Sequence, residues 1–371
     1  MSRFGGVRGV GTPRTPPNLG ASPAIPKEPE KTQIKDGTIV LLMETYNSQT
    51  APAPPGILTT LIAGFDVITN HIALILFPVG LDLLIWLAPH LRLKTLIEAW
   101  MAVVFQPISD MPDAAEMMEA AETLWTLMAE RFNLLITLRS YPVGIPSLVV
   151  SSLPLQIPDG EPVLIDIPSM GIALLLAGLF TFFGLLVGAL YFAMVGRAAI
   201  HDEVRPLKTI MEWPRSSGQV VLLAFVWFGL LLGISIPLSC GVSLLALVGI
   251  PVGPITVLVF GSLLLWIAFP LLFSPHGIFV NQDGAWASIK KSVQITRMTL
   301  PTTATFFVAV MLLSQGLDML WRIPPEDSWL MLIGVVGHAF VSTSLLSASF
   351  IYYHQADKWL ESFLEKKVSA A

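Results

Sequence analysis

The chain has 371 residues, 54% hydrophobic and only 13% charged, with a mean hydropathy of +0.71. Soluble domains carry about 25% charged residues, so a soluble fold of this length would need an implausibly large core, and the composition reads as an integral membrane protein. The net charge of −5 gives no argument for a nucleic-acid partner, and a single cysteine, Cys240, excludes an internal disulfide.

Residues 1–56 are rich in Pro, Gly, Ser and Thr and read as a disordered tail. Arg3 and Arg8 are followed by no apolar run, so no signal peptide is expected, and "TIVLLM" (38–43) is too short to span. "METYNSQTAPAPPGIL" reads as a natural tail in its own right, so a start at Met43 is an open alternative. An amphipathic helix over 55–70 follows, with Leu58, Leu61, Ile62, Phe65 and Ile68 on one side, and the interfacial helix with the first span occupies 57–90. The span itself is "HIALILFPVGLDLLIWLAPH" (71–90), the 20 residues needed to cross the hydrocarbon.

Residues 91–168 form an extracytoplasmic segment. "LRLKTLIEAWMAVVF" (91–105) predicts an amphipathic helix. "DAAEMMEAAETLWTLMAERFNLL" (113–135) predicts another, with Met117, Ala121, Leu124, Trp125, Met128, Phe132 and Leu135 as its apolar stripe. Asp113 and Glu116 fit a capping box. The Pro-rich 141–170 stretch, with Pro-Asp-Gly at 158–160, reads as extended or hairpin-like. Together these would make a small cap. The acidic face of the helix could gather cations, but a solvated surface explains it better.

Five further spans fall within 169–354, at about 171–195, 219–238, 253–275, 303–321 and 329–353, and 355–371 is a tail. Ser216–Gln282 contains no Asp, Glu, Lys or Arg and by length could hold two or three spans. Charge decides. Arg197, Arg205, Lys208 and Arg215 flank it on one side, and Lys290, Lys291 and Arg297 on the other. Both flanks belong inside, so the number of crossings is even. The link at 240–254, "CGVSLLALVGIPVGP", separates the two, and Cys240 within it is expected to pack as a small hydrophobe. The 91–168 segment holds ten Asp/Glu against four Lys/Arg, which places it outside. The fold expected is an all-α integral membrane protein of about six transmembrane helices with both termini cytoplasmic, in a bacterial inner (plasma) membrane.

A pattern recurs. Amphipathic helices at 55–70, 205–218 and 283–300 each precede a pair of spans, giving three hairpins. In "DGAWASIKKSVQITRMTL", Trp286, Ile289, Val293 and Leu300 face one way and Lys290, Lys291, Gln294 and Arg297 largely the other. Such a helix would lie at the interface, with Trp286, Lys290, Lys291 and Arg297 directed to the lipid bilayer and its anionic head groups. An ordinary connecting loop is the competing reading.

"NQDGAWASIKKSVQITRMTLPTTATFFVAVMLL" resembles a segment of bacterial six-span membrane families, and of the membrane domain appended to some glycerophosphodiester phosphodiesterases. Gly284, Ala287 and Ser288 carry part of that family's pattern, and "LIAGFDVITNHIALILFPVGLDLLIWLAP" is similar to its opening. The resemblance covers two short windows. It implies a membrane architecture and transfers no catalytic residue.

Catalytic and ligand motifs are absent: no Gly-x-Ser-x-Gly, no His-Glu-x-x-His, no Walker loop, no Cys-x-x-Cys. No cofactor and no metal site are expected, since "HDE" (201–203) lacks convergent ligands. The informative polar residues lie inside spans: Asp82, Gln315, Asp318 and His338. They read either as a transport pathway or as interhelical ties. Asp82 and His338 sit at similar depths from the outer edge, about 12 and 14 Å at 1.5 Å per residue. Two arrangements follow: the first and sixth spans pack with Asp82 facing His338 and Gln315 able to join, or each residue finds its own local partner or water. Gly184 and Gly188 suit close helix packing, as does Gly178. The class expected is a non-enzymatic membrane scaffold or assembly component, with a transporter using Asp82 and His338 as the alternative.

Overall fold

The computed structural model describes residues 55–105, 115–248 and 253–369. The tail expected over 1–56 lies almost wholly outside these residues, as does the Asp113 cap. The described residues are helical almost throughout. Helices α1 (Ile57–Asn70) and α2 (Leu76–Leu87) are joined by a 3-10 turn at Ile72–Ile75. Strand β1 (His90–Arg92), α3 (Lys94–Phe105) and α4 (Ala115–Arg131) follow. A 3-10 turn (Leu134–Leu138), the one-turn helix α5 (Val149–Ser152) and β2 (Leu164–Asp166) complete the middle segment. Then come α6 (Met170–His201), α7 (Pro206–Leu247), α8 (Gly253–Ala268), a 3-10 turn (Phe269–Leu271), α9 (Ser274–Val280), α10 (Ala285–Met298), α11 (Leu300–Trp321) and α12 (Met331–Ser369).

Among the described residues, five helical stretches are long and apolar enough to cross a membrane: Met170–His201, Pro206–Leu245, Leu258–Val280, Leu300–Trp321 and Met331–Glu365. A sixth exists if α1 and the 72–87 stretch count as one, but they meet at 92°. The first crossing expected over 71–90 is thus the short arm of a bent pair. α1 is not a simple surface helix either. Leu61, Gly64 and Ile68 are buried while Leu58 and Ile62 are exposed, so the expected stripe is split. A Cβ on Gly64 would meet Ala348 and the Ser344 carbonyl, so glycine there lets α1 cross α12 backbone to backbone.

Two boundaries differ from the sequence reading. The amphipathic stretch at 205–218 is the first part of α7 and runs unbroken into the apolar stretch, and α7 continues through 238 to Leu247. Pro214 and Pro237 lie inside it; each removes one backbone donor, but a helix in apolar surroundings keeps its remaining backbone bonds. The apolar stretch Leu258–Val280 is interrupted. α8 ends at Ala268, and the chain resumes as α9 up to Val280, with Pro270 and Pro275 at the break. Ser288 and Ser292 of α10 donate to the carbonyls of Ser274 (2.6 Å) and Pro270 (2.7 Å). The buried face of α10 is accordingly Ala285, Ser288, Ser292 and Ile295, a hydroxyl-rich face that docks on the break.

The 141–170 stretch is not a simple hairpin. Ile157 and Gly160 bridge across the Pro-Asp-Gly turn, but β2 pairs in parallel with β1, His90 opposite Leu164 and Arg92 opposite Asp166. The α4 stripe is also largely uncovered: Leu124 and Met128 are exposed, and Trp125 meets Trp100 of α3 edge-on at 5.1 Å. Met117 and Ala121 lie outside the described side chains. Cys240 is exposed rather than packed.

The main core runs between α2, α6, α12 and the 134–149 stretch. Ile85, Trp86, Val143, Leu148, Tyr191, Val195, Val335 and Ala339 belong to it. A second cluster of Phe273, Ile295, Phe306, Leu345, Tyr352 and Tyr353 joins the turn before α9, α10 and α11 to α12.

Candidate functional site

The middle segment does not merely cover the helix ends. Leu134, Ser140, Val143, Ile145, Ser147, Leu148 and Val149 are all buried. Backbone in a crowded interior needs neighbours without side chains, and α6 supplies them. A Cβ on Gly184 would overlap the Leu138 carbonyl oxygen, and one on Gly188 would press on Val143 and Gly144 at 3.1–3.4 Å. These glycines were expected to pack helices. They instead seat an inserted loop, whereas Gly178 faces open space. Asn133 pins the start of the loop: its side-chain Oδ1 accepts from the Leu135 amide (3.1 Å) and the Leu91 amide (3.2 Å).

Asp82 pins the far end. Its side chain is fully buried on α2. One carboxylate oxygen accepts from the Ser147 hydroxyl and from the Val149 amide (3.2 Å), and the other from the Leu148 amide (3.1 Å). Ser147 Oγ accepts in turn from the Val150 amide at 3.1 Å. The carboxylate thus satisfies orphan donors at the start of α5, the arrangement that makes buried helix ends tolerable.

His338 meets a different carboxylate. Its Nδ1 lies 2.7 Å from Asp318 of α11, both groups being buried. Two glycines permit the approach. A Cβ on Gly334 would overlap the Trp321 carbonyl, and one on Gly337 would strike the Trp321 ring, so the end of α11 lies flat on α12. His338 Nε2 is buried with no partner among the described residues. Arg322 completes the array: it lies 3.8 Å from Asp318 and donates to Ser151 of α5 at 2.7 Å.

The direct Asp82–His338 pairing is therefore not formed. The two residues are ends of one chain of contacts running through α5, Ser151, Arg322 and Asp318. Gln315 takes no part; it is exposed and makes no hydrogen bond among the described residues. Sequence depth placed Asp82 and His338 at one level, but Asp318, one turn from Gln315, faces α12 and claims the histidine first.

No protein-family model, curated protein or solved structure matches the chain. The arrangement must therefore be read from its own chemistry.

The four residues expected to face lipid behave unequally. Trp286 is exposed, with the Lys290 ammonium 5.7 Å above its ring, and Arg297 is exposed. Lys291 turns inward to Asp357 (2.7 Å) and Glu361 (3.6 Å) of α12. Burial works against its charge, but the bond and charge of Asp357, with Glu361 and Asp283, outweigh it and hold the ammonium above the usual lysine value. Among 201–203, Asp202 faces His71 (3.3 Å) and Glu203 faces Arg205, so the three do not converge. No group of three or more His, Cys, Asp or Glu side chains fit to hold a metal ion occurs among the described residues. On α7, Gly229 and Gly233, at Gly-x-x-x-Gly spacing, face open space.

Proposed function

We propose that the chain is a non-enzymatic membrane scaffold or assembly component, crossing the bilayer six times with both ends cytoplasmic. Its 134–153 segment would act as a plug inserted from outside. The observation that carries this reading is the Asp82 carboxylate. A group that passes protons or ions must exchange partners with water or cargo. Asp82 spends both oxygens on Ser147, Leu148 and Val149 and works as a tie. Gly229 and Gly233 offer a helix face that a neighbouring transmembrane helix could approach closely, which suits an assembly role.

The test is Asp82→Asn, which keeps shape and removes charge. The purified variant should unfold at a lower temperature, and proteoliposomes of the parent protein should show no proton or cation flux. Flux through the parent that the variant abolishes would overturn the reading. A transporter is the second reading. The buried, unpartnered Nε2 of His338 favours it, since such an atom beside a carboxylate is where a proton could be taken up. His338→Gln should then abolish flux while leaving the plug seated.

A further inference from the structure

A cleft of about 730 Å³ opens between the end of α6, the start of α7 and the turn after α9. Its walls carry four permanent cations, Arg197, Arg205, Lys208 and Arg215, against two carboxylates, Glu203 and Glu212. The carboxylates do not cancel the cations evenly. Glu212 is the organiser. It binds Arg197, lies 3.9 Å from Lys208 and accepts from Gln282 Nε2 at 3.3 Å, so one side chain holds three donors in place across two helices and a loop. Glu203 is occupied by Arg205. Arg215 has no carboxylate within 4.0 Å among the described residues; its guanidinium reaches only the Gln282 carbonyl, at 3.4 Å. Gln282 holds a left-handed backbone conformation (φ 58°), costly for a non-glycine residue, and it is this turn that lays both its carbonyl and its amide into the cleft.

An excess of positive charge in a concave, partly walled space concentrates anions, and guanidinium groups match the oxygens of phosphate in pairs. The rim adds a second property. Leu207 and Met211, on the first turns of α7, are 81% and 83% exposed. They stand beside the cations on a helix that continues directly into a long apolar stretch. Cation beside exposed aliphatic is the surface that an amphiphile with a phosphate head meets favourably on both counts.

We propose that this cleft is a binding site for a phosphate-bearing anion, with Arg215 and Lys208 as the contacting cations and Glu212 as the residue that positions Arg197 and Lys208. Two sources share that chemistry, the head group of an anionic phospholipid and a free phosphate compound; the apolar rim favours the lipid.

The full-length protein in detergent is offered either phosphatidic acid in mixed micelles with phosphatidylcholine or inorganic phosphate, and retention is read by native mass spectrometry for the lipid and by calorimetry for phosphate. Binding of either should weaken at least 10-fold in K208Q/R215Q, persist in K208R/R215K and be unchanged in K358Q, whose exposed lysine lies outside the cleft. Retention of phosphatidic acid that millimolar phosphate does not displace identifies a lipid site; comparable binding of phosphate alone identifies a soluble ligand. Binding of neither, or equal binding by K208Q/R215Q, overturns the site. Thermal unfolding of the parent gives a reading that needs no variant: the bound species must raise the midpoint over phosphatidylcholine alone, and an unmoved midpoint overturns the proposal equally.

Discussion

Asp318 and His338 meet at 2.7 Å across the contact of α11 and α12, in a pocket that two glycines, Gly334 and Gly337, hold open for the Trp321 backbone and ring. Removing one partner takes away a buried hydrogen bond of the charged class, at a cost of about 1.5–3 kcal/mol, while Arg322 stays beside Asp318. Asp318→Asn and His338→Gln should each lower the unfolding midpoint of the purified protein. The double variant should cost less than the sum, with a coupling of about 1–3 kcal/mol. Additive losses would show that the two side chains are stabilised separately.

Gly184 and Gly178 give a contrast within one helix. Ala at 184 drives a methyl into the Leu138 carbonyl, which is backbone and cannot swing aside. Gly184→Ala should unseat the 134–153 segment, read as faster hydrogen exchange there and a loss of about 2 kcal/mol or more, the scale of overpacking. Gly178→Ala meets open space and should be neutral or stabilising by up to about 1 kcal/mol through helix propensity. Equal effects would mean that the loop does not rest on α6.

Lys291 and Lys290 are adjacent in sequence and opposite in role. Lys291→Gln leaves Asp357, buried, without its cation and should destabilise the protein by about 1.5–3 kcal/mol, the worth of a charged hydrogen bond. Lys290→Gln should change stability by under about 0.5 kcal/mol. The folded-state pKa of Lys291 is raised, so its contribution is fully present below the ordinary lysine value of 10.5 and fades only as pH climbs beyond it. The Lys291→Gln loss should therefore be the same at pH 6 and pH 8. A loss that changes within that window would point to another titrating group.

Reporter fusions test the threading. Fusions after residues 160, 210, 290 and 325 should read outside, inside, inside and outside. An outside reading at 210 or 290 would break the even-crossing argument and with it the six-span reading.

The helical class and the long apolar helices were legible from hydropathy, and Asp82, Asp318 and His338 stood out as polar residues set in apolar runs. Their pairing was not legible. Depth along a helix is a one-dimensional quantity, whereas Asp318 reaches His338 because of how α11 is rotated, and rotation was set by Gly334 and Gly337. Those glycines look like ordinary small residues until their neighbour is known. The loop inserted at 138–149 was hidden for a related reason. Its Pro, Gly and Ser content suits exposed turns equally well, and only Gly184 and Gly188, 40 or more residues on, provide its seat. Likewise the buried face of α10 is built from Ala285, Ser288 and Ser292, residues too small or polar to stand out beside Trp286 and Ile289. Asn133, which fastens the loop, is a single polar residue at a helix end and carries no distinguishing pattern.

The tie between Asp82 and Ser147 also sets an order in time. The two residues are 65 positions apart, and a ribosome adding about 5–20 residues per second delivers the second about 3–13 s after the first. During that interval the apolar arm of α2 carries a carboxylate whose partners have not been made, and Gly184, which seats the returning loop, comes later still. The arm must wait in a half-finished surrounding, in water or beside whatever helper protein receives it. Completion of the surroundings of Asp82 therefore trails the synthesis of α2, and a chain truncated before Ser147 lacks the hydroxyl and the two amides that bind that carboxylate.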